Sequence, residues 1–192
     1  METSVSMLER LAGAPTDDDW RRLDELYRPL LRAWMARAGV PASDVDDLVQ
    51  DVLLVVIREV AGFERRRQGA FRAWLRTILA NRVRDHFRGQ KYRPTATGGS
   101  DFQRWLDELE SPDSALSRQW DHDHDVHVLK SLMQRVQGDF APATWQAFRR
   151  HALEGEPAVQ VAEALGLSLN AVLLAKSRVL KRLRQELAGL VE

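Results

Sequence analysis

The chain has 192 residues, no cysteine, and 28 basic against 28 acidic side chains, so its formal charge is zero. That length can bury one large core or two small ones, and the missing thiols exclude disulfides, cysteine-ligated zinc and cysteine nucleophiles. The zero balance hides a segregation: residues 64–93 hold ten Lys/Arg and two acids, and residues 101–125 hold eight acids and two arginines. A basic surface built for phosphates and a separate acidic connector are expected.

Residues 1–19 read as an N-terminal tail without the basic and apolar regions of a signal peptide. The longest aliphatic run, residues 52–57, is far shorter than the roughly 20 residues a membrane helix needs. A cytoplasmic protein is expected. Apolar residues recur at helical spacing almost everywhere, and no segment alternates as a strand would. The first helix is predicted to open after Thr16, with Asp17, Asp18 and Asp19 at the positive end of its dipole, and to run to about residue 38. Gly39-Val40-Pro41 ends it. Ser43, with Asp46 three residues on, resembles a capping box for a second helix reaching about residue 61. On its wheel Asp44, Asp47 and Asp51 fall together beside Gln50 and Leu54, opposite Val45, Leu48, Val49, Val52 and Val56. Such a stripe is either a solvated face or a docking face for a basic partner.

A loop over residues 62–69 carries Arg65, Arg66 and Arg67, and a third helix is predicted over residues 70–90. Phe71, Trp74, Leu75, Ile78 and Leu79 form its apolar stripe, and Arg72, Arg76, Arg82, Arg84 and Arg88 surround it, followed by Lys91 and Arg93. Arg82 sits within the stripe, where Asp85 can pair with it at i+3. Cations interleaved with aromatics suit single-stranded or melted DNA, although Phe71, Trp74 and Ile78 taken alone read as core. Residues 94–125, opening with PTATGGS, read as a partly ordered acidic linker. Helical spacing resumes at residue 126, with Val128, Leu129, Leu132 and Met133 on one face and Trp145, Phe148 and Leu153 on the next. Pro157 suits a helix start, Ala158, Val161, Ala162 and Leu165 line one face, Gly166 turns the chain, and Ser168 caps a helix to about residue 187. Two helices joined this way are a helix-turn-helix. The second carries Lys176, Arg178, Lys181, Arg182 and Arg184 against Glu186, which suits a major groove flanked by phosphates.

The stretches DVDDLVQDVLLVVIREVAGFE (44–64) and GAFRAWLRTILANRVRDHFRGQKYR (69–93) resemble region 2 of the sigma-70 family, and GLSLNAVLLAKSRVLKRLRQEL (166–187) resembles region 4. With only these two regions and a linker, the layout resembles the extracytoplasmic-function class. The resemblance implies an all-α fold of two small bundles, residues 20–93 and 126–188, joined by a flexible linker over 94–125. It implies that Asp44, Asp47, Gln50 and Asp51 dock on the β′ clamp helices of core RNA polymerase. It places Arg65, Arg66, Arg67, Gln68, Asn81, Arg82, Arg84, Arg88, Lys91 and Arg93 at the melted −10 element of promoter DNA. Ser168, Asn170, Lys176, Arg178, Lys181 and Arg182 fall at the −35 element, with the other surface of that domain on the β flap. An anti-sigma factor is a further partner that the class admits. Leu173 and Leu174 stand where many relatives have basic or polar residues; they either pack inward or touch thymine methyl groups.

Neither cofactor, metal nor catalysis is expected. The sharpest enzymatic alternative is His122-Asp123-His124-Asp125-Val126-His127, which resembles a hydrolase zinc motif but has Val126 where that motif needs Asp. No phosphate loop or nucleophile elbow is present. A helix-turn-helix regulator that binds duplex DNA without docking on polymerase is the other alternative.

Overall fold

The computed structural model describes residues 7–63, 69–90, 100–188 and 190. Among these residues the regular structure is helical, and they fall into two compact units, Val5–Val128 together with Leu190, and Leu129–Ala188.

In the first unit, α1 (Met7–Ala12) buries Met7, Leu8 and Leu11, so this part of the expected tail is folded. Its three apolar side chains fit one turn-and-a-half of helix and pack on the 3-10 turn Val60–Gly62. α2 (Asp17–Arg37) opens on a full capping box: the Thr16 hydroxyl accepts from the Asp19 backbone, and the Asp19 carboxylate accepts from Thr16 N–H at 3.0 Å. Asp19 also takes Arg10 Nε at 2.9 Å, which ties α1 to the start of α2. These donors hold its carboxyl down at about 2. Gly39, at φ 78°, ends α2 as expected, and Val40 N–H reaches back to the Met35 carbonyl.

α3 (Ala42–Glu59) starts one residue before the position expected for its cap. Pro41 occupies the N-cap, and Ser43, already inside the helix, donates to Asp44 at 2.7 Å instead. The valine-rich arc Val45, Leu48, Val49, Val52 and Val56 is buried, as its spacing predicts. α4 (Ala70–Gln90) buries Phe71, Leu75, Ile78, Leu79 and Val83. Trp74 lies half-buried, its ring stacked 4.9 Å from Phe63 and 5.6 Å from Phe71.

The expected flexible linker is where the structure departs from the sequence reading. Residues 91–99 lie outside the described residues, but residues 100–110 form α5 (Ser100–Glu110) and residues 115–136 form α6 (Ala115–Val136). Both belong to the first unit up to Val128. Leu106, Leu109, Ser117, Trp120, His124 and Val128 are fully buried. Trp120 meets Trp34 edge-on with ring centres 5.2 Å apart and donates its indole N–H to the Arg72 carbonyl at 3.0 Å. The acids that make this stretch look solvated are spaced between those apolar positions and find arginines: Asp125 takes Arg72 at 2.8 Å, Asp121 takes Arg72 at 3.5 Å and Arg76 at 3.4 Å, and Asp123 takes Arg37 at 2.5 Å. A helix can be rich in acid and still bury one apolar stripe.

The second unit is built from the end of α6, α7 (Pro142–Phe148), a π-helical turn Arg149–Leu153, α8 (Ala158–Leu165) and α9 (Leu169–Leu187). Pro157, expected as the first helical residue, is the N-cap of α8, so the helix starts one position later, at Ala158. Ala147, Val161, Ala162, Val172 and Ala175 form the core between α7, α8 and α9, with Leu165 and Leu167 packed against it.

Candidate nucleic-acid and polymerase interface

The helix-turn-helix is present as the sequence predicts. α8 and α9 bend by 106° across a turn in which Gly166 adopts φ 64°, and Leu167 N–H closes back on the Ala162 carbonyl at 2.9 Å. Ser168 caps α9 through its hydroxyl, which accepts from Ala171 N–H at 3.1 Å and remains free to donate. Val172, Ala175, Val179 and Leu183 turn inward. Asn170, Leu173, Leu174, Ser177, Arg178 and Lys181 are exposed, and Lys176 is half-buried. Leu173 and Leu174 are 47% and 41% exposed, so the inward alternative for these two residues is wrong. Arg182, expected at DNA, is held within the unit by Asp139 at 2.9 Å and Glu186 at 2.5 Å. Glu186 is itself buried, so α9 keeps this arginine as its own counter-charge.

On α3, Asp47, Gln50 and Asp51 are exposed and continue into Leu54 and Ile57, which are 43% and 39% exposed. Asp47 and Asp51 meet no cation among the described residues. Asp44 differs: it lies 3.4 Å from His86 Nε2 and accepts from Ser43. The acidic face therefore centres on Asp47, Gln50 and Asp51. Ile57 did not stand out in the sequence, although its spacing from Leu54 places it on the same stripe.

Arg65, Arg66, Arg67, Gln68, Lys91 and Arg93 lie outside the described residues. On α4, Asn81 is exposed and accepts from Arg84 at 2.7 Å, and Arg84 also pairs with Glu110 of α5 at 2.5 Å. Arg88 pairs with Asp85 at 2.9 Å. Arg82 lies 3.9 Å from Asp85, the pairing expected, with its Nε buried and without an acceptor. Arg72 and Arg76, part of the basic patch in the sequence, are built into the α4–α6 contact instead.

The histidine run does not converge. His122 is exposed; His124 is buried, with Nδ1 donating to Asp125 at 3.0 Å and Nε2 lying 3.3 Å from the Tyr27 hydroxyl; His127 donates to the Leu26 carbonyl at 2.6 Å. Among the described residues no group of three or more His, Asp or Glu is arranged to hold a metal ion.

Residues 23–93, which span α2 to α4 and so include the acidic face, match the family model for sigma-70 region 2. The chain is 27% identical to the RNA polymerase sigma factor HrpL of Pseudomonas syringae pv. syringae, over 82% of this chain and 81% of that one. It is 28% identical to the sigma factor CnrH of Cupriavidus metallidurans, over 70% and 68%, and 30% identical to the ECF sigma factor BldN of Streptomyces coelicolor, over 50% and 35%. Residues 23–93 thus carry a sigma-70 region 2, and the chain is similar beyond it to RNA polymerase sigma factors, one of them of the extracytoplasmic-function class. The similarity to HrpL covers 82% of this chain and therefore extends well beyond region 2. Sigma factors of this family act in transcription initiation and are in general not enzymes. No single helix among the described residues is long and apolar enough to cross a membrane.

Proposed function

We propose that the chain is a sigma factor that docks on the β′ clamp helices of core RNA polymerase through Asp47, Gln50 and Asp51, reads the −35 element with α9, and holds the melted −10 strand with α4 and the loop before it. The observation that carries the reading is the face of α3. Two carboxylates without a partner among the described residues, beside exposed Leu54 and Ile57, stand opposite an arc of α3 that is buried. Unpaired charge bordering exposed apolar surface is what an interface for a basic, partly apolar partner requires. Asp44 is a weaker candidate, because His86 and Ser43 already engage it. At the −10 element Asn81 and Arg88 are the accessible α4 groups, while Arg84 reaches DNA only by leaving Glu110. At the −35 element Asn170, Arg178 and Lys181 are exposed and without a partner among the described residues, Lys176 is half-buried, and Ser168 is able to donate to a phosphate.

The test is co-purification with bacterial core polymerase. Asp47→Arg combined with Asp51→Arg is expected to abolish association and leave thermal unfolding unchanged, because both side chains are exposed. Normal recovery of polymerase by a folded double mutant would overturn the docking assignment. Duplex binding by the native chain without any polymerase association would leave an ordinary helix-turn-helix regulator.

A further inference from the structure

Leu173 and Leu174 stand on the exposed arc of α9, flanking its centre line. Successive residues of a helix turn by about 100°, so Val172, Ala175, Val179 and Leu183 share one side while Asn170, Leu173, Leu174, Ser177 and Lys181 share the other. The exposures agree with this: the first group is buried, and every member of the second is exposed. An arc made only to read hydrogen-bond donors and acceptors would carry amides or guanidinium groups throughout. Here two isobutyl groups flank the line of Asn170, Ser177 and Lys181, with Arg178 and Lys181 roughly 7–11 Å further along the axis. Arg178 and Lys181 have no internal partner among the described residues. A polyanion is the occupant that two free cations beside the apolar pair would accept, and within duplex DNA the major groove presents one apolar group, the thymine C5-methyl.

From this placement we infer that Leu173 and Leu174 are specificity-determining residues that read thymine methyl groups in the promoter's upstream element. The inference rests on α9 being the helix that enters the major groove. The leucines supply van der Waals contact and exclude water from the methyls, Asn170 is placed to pair with an adjacent adenine, and the cations fix the register on the phosphates. Cytosine or a purine at those positions would leave the leucines against polar edges, which they cannot satisfy.

The experiment selects from a duplex library randomised upstream of a fixed start region, using the full chain assembled with core polymerase. The selected duplex is then remade with deoxyuridine in place of single thymines, which removes the methyl and keeps every hydrogen-bonding group. One or two adjacent thymines are expected where substitution weakens binding about fourfold per methyl. The same substitution should have almost no effect on Leu173→Ala or Leu174→Ala. Equal binding of thymine and uracil duplexes by the native chain would overturn the inference. So would a Leu173→Ala variant that loses polymerase and keeps its thymine preference, since the leucines would then belong to a protein contact. The underlying reading fails separately, and recognisably, if Arg178→Ala with Lys181→Ala leaves binding to the selected duplex unchanged.

Discussion

At the scale of single residues, the buried polar groups decide how the first unit responds to pH. His124 has no solvent exposure; Asp125 accepts from its Nδ1–H, and its Nε2 lies 3.3 Å from the Tyr27 hydroxyl. Burial pushes its pKa below the ordinary 6.5, outweighing the opposing pull of Asp125. The unfolded chain therefore binds a proton below 6.5 that the folded chain resists, and stability falls as pH drops through that range toward the folded value. The loss cannot exceed about 1.4 kcal/mol per pH unit for one proton. Asp19 acts in a different window. Held at about 2 against an ordinary 3.8, it contributes stability above the higher value and loses it between the two. Urea unfolding at pH 7.5 and 5.5 thus isolates the histidines, and His124→Gln is expected to flatten the difference that the native chain shows. Identical pH dependence in native and variant chains would mean that His124 is not the group responsible.

At the scale of elements, α5 and α6 follow the end of the region 2 match at residue 93, and α6 carries the first unit on to Val128. Trp120 closes the core against Trp34, and Leu106 and Leu109 are fully buried. A chain ending at Arg93 would uncover this apolar surface and is expected to aggregate or unfold, whereas one ending at Val128 should give a cooperative melt. Trp120→Ala in the full chain is expected to cost about 3–5 kcal/mol, as large-to-small changes at buried aromatics do; a loss below about 1 kcal/mol by urea titration would show α6 to be only loosely attached. These two helices also mark where sequence reasoning stopped. The Pro-Thr-Ala-Thr-Gly-Gly-Ser opening and the dense acids outweighed an apolar spacing, from Phe102 through Leu109 and from Ser117 through Val128, that was present all along. Composition records how much charge a segment has and is silent on whether arginines such as Arg72 and Arg76 wait across the contact. The helix-turn-helix was legible because its signals are local: Gly166 at positive φ, Ser168 as the cap and apolar residues at helical spacing. The acidic face of α3 was legible for the same reason, down to the valine arc opposite it. The fate of Arg84 was not, because it depends on Glu110, far from it along the chain; that of Arg182 was legible only in its Glu186 half, at i+4, and not in its Asp139 half.

At the scale of the whole molecule, a net charge of zero coexists with cations that have different duties, and a salt titration can sort them. Each phosphate contact to duplex DNA steepens the dependence of log affinity on log salt by about 0.9. Arg178 and Lys181, exposed on the outward arc of α9, should act through such contacts. Arg182 stands on the same helix and carries the same charge as Arg178, but Asp139 and the buried carboxylate of Glu186 already neutralise it. Arg182 is one of the groups that compensate this buried carboxylate, so removing it weakens the balance of a charge held inside the second unit. Measured on one promoter duplex with the polymerase-bound chain across a salt series, Arg178→Ala with Lys181→Ala is expected to make the slope shallower by about 2. Arg182→Ala should leave the slope unchanged and lower the melting temperature instead, an effect that Arg182→Ala combined with Glu186→Gln should partly reverse. If Arg182→Ala changes the slope as Arg178→Ala does, the internal pairing gives way on binding, and all three cations share one function at the DNA.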